Sequence, residues 1–482
     1  MLFTEPVFIF LFLPAVLGIY FLLPKSARNA WLIFASLVFY FYGEGFHTLI
    51  LLFSVVLNYV GGIALTRTNK QALRRLLLAA SVGCNVLLLV IFKYANFVGE
   101  NVQRLSGYDV LGRLHVPHLR LPIGISFFTF MGISYLVDVY RRQIKAQKNP
   151  INPALYITLF PHLIAGPIVR YSDIAQEIVS RRVSLPEFSE GIKRFTIGFG
   201  KKMLIANVLA LPADQIFRLN GDQLSAPVVW LGIVCYTLQI YYDFSGYTDM
   251  AIGLARMFGF HFPENFNYPY ISTSITEFWR RWHISLSTWF RDYVFFPLGI
   301  RRPAWRVSLN LLIVFFLCGL WHGASWHFVF WGLYHGAFLV LERTRLTKIL
   351  NKLAKPLRHA YALLVIMIGW VLFRAESLAG AGAYFKAMSG VTIPQAQFLK
   401  FSYFLTPELV IVLLVAMVGA TPAVPFLRRH IEALVKRIEG ALGVPAEFAM
   451  GMVRAVIIMA LFISSSALSA AGTYNPFIYF RF

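Results

Sequence analysis

The sequence predicts an all-α integral membrane protein that forms a single helical transmembrane domain over residues 1–482. Hydrophobic residues make up 58% of the chain and charged residues only 14%, whereas soluble domains carry about 25% charged residues. Apolar runs long enough to cross a bilayer as helices follow one another from residue 6 to residue 470. No repeat, low-complexity stretch or polar block divides these runs, which favours one continuous domain.

The basic side chains indicate how the chain is oriented. The formal net charge is +22, and in a membrane protein such an excess lies in cytoplasmic loops and at anionic lipid headgroups. We therefore expect contact with the lipid bilayer and no nucleic-acid partner. The basic loops after the first, third and fifth apolar runs share one side of the membrane if the N-terminus lies on the external side. The sequence thus predicts a multi-pass protein with an external N-terminus.

Two segments depart from the pattern of simple spans. The apolar run 151–168 contains "FPHLIAGP", whose two prolines and glycine predict a broken, re-entrant helix. Backbone of this kind is tolerated at membrane depth only when it is buried in protein or lines a cavity. Residues 262–305 are amphipathic and rich in Trp and Arg, which predicts a half-embedded or interfacial segment on the cytoplasmic side.

A histidine lies within the apolar stretch "FLCGLWHGASWHFVFWG", residues 316–332. Ionisable residues in spans are costly and often mark functional sites, and a neutral imidazole is a general base that takes a proton from a hydroxyl. His322 is followed by Gly323, which allows a ligand or another backbone to come close. The alternative is a histidine that only bonds to a neighbouring helix, and this alternative describes His327 and His335 better.

The segment "TEFWRRWHISLSTWFRDYVFFPLG", residues 276–299, interleaves aromatic and basic side chains. One interpretation is an amphipathic segment that binds lipid headgroups. The other is a positively charged, aromatic-lined mouth for an anionic cytoplasmic cosubstrate, with His283 directed inward. On the second interpretation the donor-binding candidates are Trp279, Arg280, Arg281, Trp282 and Arg291.

Two carboxylates lie in the apolar stretch "LQIYYDFSGYTDMAIGLARMFG", residues 238–259. Unpaired carboxylates would be costly there, so we expect partners, and the candidates are Arg170, Arg280 and Arg374. A metal site is the weaker alternative because no His or Cys ligand is close in sequence, and no metal is predicted. We expect a polar network that shapes a cavity, formed by Gln239, Asp243, Tyr247 and Asp249.

Together these segments resemble the bacterial branch of the membrane-bound O-acyltransferase (MBOAT) superfamily, most specifically in "WRRWHISLS" and "GLWHGA". The resemblance implies a bundle of about eleven transmembrane helices, with re-entrant and interfacial helices, around a central tunnel. It also implies that His322 is the catalytic histidine and His283 the second functional one. The sequence departs from the family pattern at Met131 and His162, where Gln is the expected residue, and these departures concern the acceptor more than the reaction.

The resemblance further implies an enzyme of the bacterial inner membrane with a periplasmic N-terminus and no tightly bound cofactor. It would pass an acetyl group from a cytoplasmic donor, acetyl-CoA, across the membrane for O-acetylation of an exopolysaccharide such as alginate. A periplasmic SGNH-type protein is the implied partner. His322 would act as general base, and His283 would position the acceptor or polarise the thioester carbonyl.

Two alternatives stay open at this point. The acceptor could be peptidoglycan, cellulose or teichoic acid, because related acylation systems serve all three. An alternative of another class is a proton-coupled transporter or flippase, in which Asp243, Asp249 and His322 form a proton relay. Against it, the sequence lacks the inverted repeat that many transporters show.

Overall fold

The computed structural model describes residues 1–107, 119–219, 221, 223–299, 303–391, 400–442 and 446–476. These residues form helices joined by loops, and none of them forms a strand. The predicted all-α class is therefore confirmed for the described part of the chain. The helices of eight or more residues are Leu13–Leu22, Arg28–Glu44, Thr48–Thr66, Gln71–Leu89, Ala95–Ser106, Ile125–Tyr140, Ile151–Thr158, Tyr171–Val179, Leu185–Gly200, Asn207–Phe217, Ala226–Met257, Ala304–His322, Trp326–Leu341, Lys355–Arg374, Leu378–Met388, Pro407–Gly419, Ala423–Leu442 and Ala446–Ala470.

Shorter helical elements connect or extend these helices. Phe8–Phe12, Val90–Tyr94, Lys201–Ala206, Arg291–Phe295 and Glu342–Leu346 are π-helical turns, and several of them join two α-helices without a break. The short α-helices are Phe160–Leu163, Ile275–Arg281, Ile284–Phe290, Phe296–Leu298, Thr347–Leu350 and Phe401–Phe404, and the 3₁₀ turns are Gly45–His47 and Pro269–Ile271.

Several helices are suited to a membrane. Within the described ranges, five helical stretches are long and apolar enough to cross a bilayer. A sixth is obtained if Pro407–Gly419 and Ala423–Ile431, which meet at an angle of 77°, count as one span. Length and apolar composition thus confirm a helical membrane protein, while a total of about eleven spans stays a prediction.

The predicted broken helix is present in the run 151–168. Ile151–Thr158 ends before Leu159, whose backbone is not helical, and a single turn over Phe160–Leu163 follows. The helix breaks here because Pro161 has no amide proton, and the amide of Phe160 instead donates to Ser36 Oγ at 3.0 Å. This part of the chain is fully buried, as the sequence predicts.

The helix Ile125–Tyr140 begins in close contact with this broken segment. Gly124, the residue before Ile125–Tyr140, has φ +80°. A Cβ atom there would lie 2.5 Å from the carbonyl oxygen of Leu163. Only glycine satisfies both the left-handed backbone and the close approach, so the broken segment and the start of Ile125–Tyr140 are held against each other.

The long helix Ala226–Met257, here called the central helix, is almost completely buried. It packs against Leu185–Gly200 through small residues: a Cβ on Gly198 would lie 2.5 Å from the carbonyl oxygen of Gly246. Glycines let two helix backbones approach closely, a common device in membrane bundles. The approach brings the basic end of Leu185–Gly200 alongside the carboxylates of the central helix.

The predicted partners of those carboxylates are wrong. Asp243 pairs with Lys202 at 2.5 Å, and Asp249 pairs with Lys201 and Arg194, each at 2.7 Å. The partners come from the packed neighbour helix and its π-helical extension, whereas the candidates Arg170 and Arg374 bind other carboxylates, Asp292 and Asp214. Arg280 forms no ion pair within the part of the chain that the structure describes.

Candidate functional site

His322 is the last residue of the helix Ala304–His322. The chain then turns sharply, and a Cβ on Gly323 would lie 2.2 Å from the ring of Phe328, so only glycine fits this turn. The imidazole of His322 is 5% exposed and lies among aromatic rings, with centroids 4.9 Å from Trp331 and 5.1 Å from Phe373. Its Nδ1 is buried and has no hydrogen-bond partner among the described residues.

His283 lies at a bend between two short helices, Ile275–Arg281 and Ile284–Phe290. Its backbone is left-handed, with φ +44° and ψ +56°, which for a residue other than glycine costs about 1–3 kcal/mol and is typical of functional sites. The side chain is fully buried. Its ring packs edge-on against Phe244 of the central helix, with a centroid distance of 4.7 Å.

Trp321 connects the two histidines. The centroid of its ring lies 4.9 Å from that of His322 and 6.0 Å from that of His283. The two histidines are 39 positions apart in sequence, yet the fold brings both imidazoles against the same indole. The pair that the sequence singled out therefore lies at one place in the molecule.

A cavity of about 450 Å³ lies at the end of the His322 helix, and Trp321 and His322 are part of its wall. The N-terminus of Ile125–Tyr140, where no side chain caps the first amide groups, forms another part of the wall. Lys93 and Arg120 also line it. A helix N-terminus and two cationic side chains make this cavity electropositive, and none of its lining residues is acidic.

Lys93 was missed by the sequence analysis. Its Nζ donates to the carbonyl oxygens of Trp321 and His322, the latter at 3.3 Å, and the neighbouring Tyr94 hydroxyl donates to that of Leu320 at 2.6 Å. The last carbonyls of a helix lack partners within the helix, so these side chains complete its C-terminus. A lone lysine in the apolar run "LLLVIFKYANF" was the available signal.

A second cavity, of about 470 Å³, lies along the helix Ala304–His322, before its C-terminal end, and is lined by Val314, Phe315 and Cys318. It is mostly apolar, with cationic groups at its wall. Of the predicted donor-binding residues, Trp279, Arg280 and Arg291 line it.

The other two predicted donor-binding residues have different surroundings. Arg281 pairs with Glu277 at 3.0 Å and donates to the carbonyl of Asn267. Trp282 is buried and packs on Trp370, with ring centroids 4.9 Å apart. Neither lines the second cavity, so the structure separates the five candidates into three that line this cavity and two that do not.

The charges at this cavity are partly compensated. Asp292 accepts hydrogen bonds from Arg291 at 2.8 Å and from Arg170 at 2.7 Å. Partial burial alone would raise the pKa of Asp292, but the bonds from the two guanidinium groups outweigh it and the pKa is lowered. Arg291 is thus neutralised in part, whereas Arg280 is exposed and has no ion-pair partner in the part of the chain that the structure describes.

The predicted polar network of the central helix lies outside both cavities. Asp243 and Asp249 are held in ion pairs, Gln239 is buried, and Tyr247 stacks on Phe3 with centroids 4.8 Å apart. Their role in shaping a cavity stays a prediction. In the described ranges, no group of three His, Cys, Asp or Glu side chains is arranged to hold a metal ion.

Comparison with known proteins shows which family has this sequence. The family model of the membrane-bound O-acyltransferases, MBOAT, matches residues 129–381, which include both histidines and the whole lining of the second cavity. The chain belongs to the MBOAT family. This MBOAT protein is 40% identical over 509 residues to the probable alginate O-acetylase AlgI of Azotobacter vinelandii, an alignment that covers 100% of both chains.

More distant relatives share the reaction class. The peptidoglycan O-acetyltransferase of Helicobacter pylori is 36% identical over 429 residues, which cover 81% of this chain and 80% of the relative. The teichoic acid D-alanyltransferase of Bacillus subtilis is 33% identical over 245 residues, 47% of this chain and 60% of the relative. The predicted family is confirmed, and this MBOAT protein is a membrane O-acyltransferase.

Proposed function

We propose that this protein passes an acetyl group from cytoplasmic acetyl-CoA through the bacterial inner membrane for the O-acetylation of an exopolysaccharide such as alginate. A periplasmic SGNH-type protein is its proposed partner in modifying the polymer. The observation that carries the proposal is the packing of both histidine rings against Trp321, with one cavity along the His322 helix and another at its end.

The two cavities support a route through the protein with a donor side and an acceptor side. Coenzyme A is large and anionic and does not cross a bilayer, but its acyl-pantetheine arm is narrow and uncharged. The apolar cavity beside Arg280 and Arg291 suits this arm, with the donor's phosphates at the guanidinium groups. We place this cavity towards the cytoplasm, and with it the half-embedded segment 262–305, and the cavity at His322 towards the periplasm. About eleven spans and a periplasmic N-terminus belong to the same proposal.

The proposed chemistry is base-catalysed transfer from a thioester to a hydroxyl. His322 takes the proton of the acceptor hydroxyl as its oxygen attacks the thioester carbonyl carbon. The carbon–sulfur bond then breaks, the thiolate of coenzyme A leaves, and the imidazolium proton passes to it. His283 positions the acceptor molecule. Each step uses only the acceptor, the donor and the two side chains.

The nature of the acceptor is supported by the relatives. The relatives named for alginate are 40% and 44% identical to the chain, whereas those named for peptidoglycan and teichoic acid are 36% and 33% identical. An exopolysaccharide is therefore the acceptor class we propose.

The proposal is tested with inner-membrane vesicles from cells that carry all native partners. Acetyl-CoA labelled in the acetyl group is added to inverted vesicles, whose cytoplasmic face is outside, and to right-side-out vesicles. We expect hydroxylamine-labile label to be retained by inverted vesicles only, and only when they contain this protein. Solute counterflow without any labelled ester would contradict acyl transfer and would favour the transporter alternative.

Replacing Lys93 with methionine tests the electropositive end of the His322 helix. Methionine keeps the length and the apolar part of the side chain but removes the donors to the carbonyls of Trp321 and His322. We expect kcat to fall about tenfold or more, because a charge-assisted hydrogen bond contributes about 1.5–3 kcal/mol. The measurement is the initial rate of ester formation in inverted vesicles at equal protein abundance.

Lys93→Arg is the matched variant for this test, since it keeps a cation at the same carbonyl groups. It should recover at least part of the lost rate. Equal losses in Lys93→Met and Lys93→Arg would contradict a role for the charge itself.

Arg280→Gln tests the donor side. Because the Arg280 guanidinium has no ion-pair partner among the described residues and lines the donor cavity, we expect the KM for acetyl-CoA to rise about tenfold, which corresponds to ~1.4 kcal/mol, with kcat little changed. Arg281→Gln is the control, because Arg281 is already bonded to Glu277. A larger KM effect at Arg281 than at Arg280 would contradict the donor assignment.

A further inference from the structure

Asn265 is buried beside His283 and accepts hydrogen bonds from two residues through a single atom. Its Oδ1 accepts from the amide of Ser285 at 3.1 Å and from the hydroxyl of Ser285 at 3.0 Å. The same oxygen lies 3.1 Å from Nδ1 of His283. Asn265 is 1% exposed, so water does not compete for these bonds.

The hydrogen bonds determine where His283 carries its proton. A backbone amide only donates, so the Asn265 atom that faces Ser285 must be the carbonyl oxygen and not the amide nitrogen. An oxygen of this kind only accepts, and Nδ1 of His283 must therefore donate to it. The neutral ring then has its proton on Nδ1 and its lone pair on Nε2, and Nε2 is buried with no hydrogen-bond partner among the described residues.

Asn265 also supports the backbone of this turn. Its backbone carbonyl oxygen accepts from the amide of Ile284 at 3.0 Å, immediately after the left-handed residue His283. The hydroxyl of Ser285, in turn, accepts from the amide of Ile168 in the segment that follows the broken helix, at 3.0 Å. Asn265 and Ile168, from two separate parts of the chain, thus both bond to Ser285 and hold the strained turn at His283 in place.

We propose that Asn265 is a positioning residue that holds His283 as the Nδ1–H tautomer, so that Nε2 of His283 accepts a hydrogen bond from a second donor group of the acyl acceptor, and not from the hydroxyl whose proton His322 takes. The inference rests on the proposed function and deepens it. A lone pair on Nε2 cannot donate a hydrogen bond to the thioester carbonyl. Of the two roles considered for His283, positioning the acceptor is therefore the one that this tautomer allows.

The test replaces Asn265 with aspartate, which has the same shape and also accepts from Nδ1–H. The packed surroundings of His283 are Phe244 on the central helix, Trp321 on the His322 helix and the neutral Asn265. The neighbouring titratable group on these elements is His322, whose ring also contacts Trp321. A carboxylate at position 265 would favour the imidazolium form of His283, which has no lone pair on Nε2.

We expect the low-pH limb of the profile of kcat/KM for ester formation to move up by about 1–3 pH units in Asn265→Asp. The rate at high pH should stay within about tenfold of the wild type, because the neutral tautomer is retained there. Asn85→Asp is the matched control, since Asn85 is a buried asparagine that bonds to Asn58 and lies in another part of the fold. Its pH profile should not move.

A second pair of variants applies even if Asn265→Asp is absent from the membrane. Threonine and valine have the same shape as each other, but only threonine has a side-chain oxygen that accepts from Nδ1–H. The two variants Asn265→Thr and Asn265→Val therefore differ in that acceptor alone. We expect threonine to retain at least about tenfold more activity than valine at equal abundance. Equal activities in this pair, or an unmoved profile in Asn265→Asp, would overturn the role of Asn265 while wild-type transfer still supports the proposed function. Absence of transfer in the wild type would instead refute the proposed function.

Discussion

Replacing His322 with alanine is expected to lower the rate of acyl transfer by more than about 10²-fold, because a positioned general base typically contributes 10²–10⁴-fold. His322 closes the helix Ala304–His322 and faces a cavity of about 450 Å³. The rings of Trp321, Trp331 and Phe373 surround its imidazole. Alanine removes the base and leaves these rings and the helix end in place.

The control for this variant is His327→Ala. His327 lies five residues further along the chain and is also buried, but it lines neither the donor cavity nor the cavity at His322. We expect its activity within about threefold of the wild type, the range of an ordinary packing change of under ~1 kcal/mol. The measurement is labelled ester formation in inverted vesicles, normalised to membrane abundance. Equal losses at the two histidines would remove the reason to assign catalysis to His322.

Replacing His283 with leucine is expected to lower kcat/KM for ester formation by about 10²-fold. Leucine keeps an apolar side chain of similar length against Phe244 but has neither the Nδ1–H donor to Asn265 nor the lone pair on Nε2. The KM for acetyl-CoA should change little, since His283 does not line the donor cavity. A rise in that KM without a fall in kcat would contradict the acceptor-side role.

His335→Leu is the matched control for His283→Leu. Both histidines are fully buried and pack against aromatic rings, and His335 contacts Trp279 and Trp331. Neither ring nitrogen of His335 has a hydrogen-bond partner among the described residues, so its loss should affect packing more than chemistry. We expect at least tenfold more activity in His335→Leu than in His283→Leu at equal abundance.

Much of the site was predictable because its residues carry their own signals. His322 is an ionisable group in an apolar run, and His283 lies in a stretch of alternating Trp and Arg. Both signals are local, and the resemblance to a known family joins them. The broken helix at 151–168 was predictable for the same reason, since Pro161 and its neighbours disrupt a helix wherever it packs.

The residues that were missed act through distant contacts. Asn265 lies in "ENFNYPYIS", where nothing marks it. It matters only because the left-handed turn at His283 folds the chain back onto its side chain. Lys93 matters because a π-helical turn, Val90–Tyr94, directs it at the end of another helix more than 200 residues away. Such turns are frequent at functional sites, but apolar periodicity does not reveal them.

The wrong partners of Asp243 and Asp249 have a similar cause. Hydropathy shows that a buried carboxylate needs a cation, but the choice among 44 lysines and arginines depends on which helices pack together. Here glycines on both helices set that packing, through the close approach of Gly198 to Gly246. The cations that follow Gly198 along the chain, Lys201 and Lys202, are thereby placed beside the two carboxylates.

The most direct test of the central claim is the O-acetyl ester content of the cell-surface polysaccharide in the native organism. The gene is deleted and replaced by the wild type, His322→Ala or His327→Ala, and the protein abundance in the membrane is matched. We predict wild-type ester content with His327→Ala and a loss of more than about 10²-fold with His322→Ala. Unchanged ester content with His322→Ala would contradict the assignment of this histidine as the catalytic base.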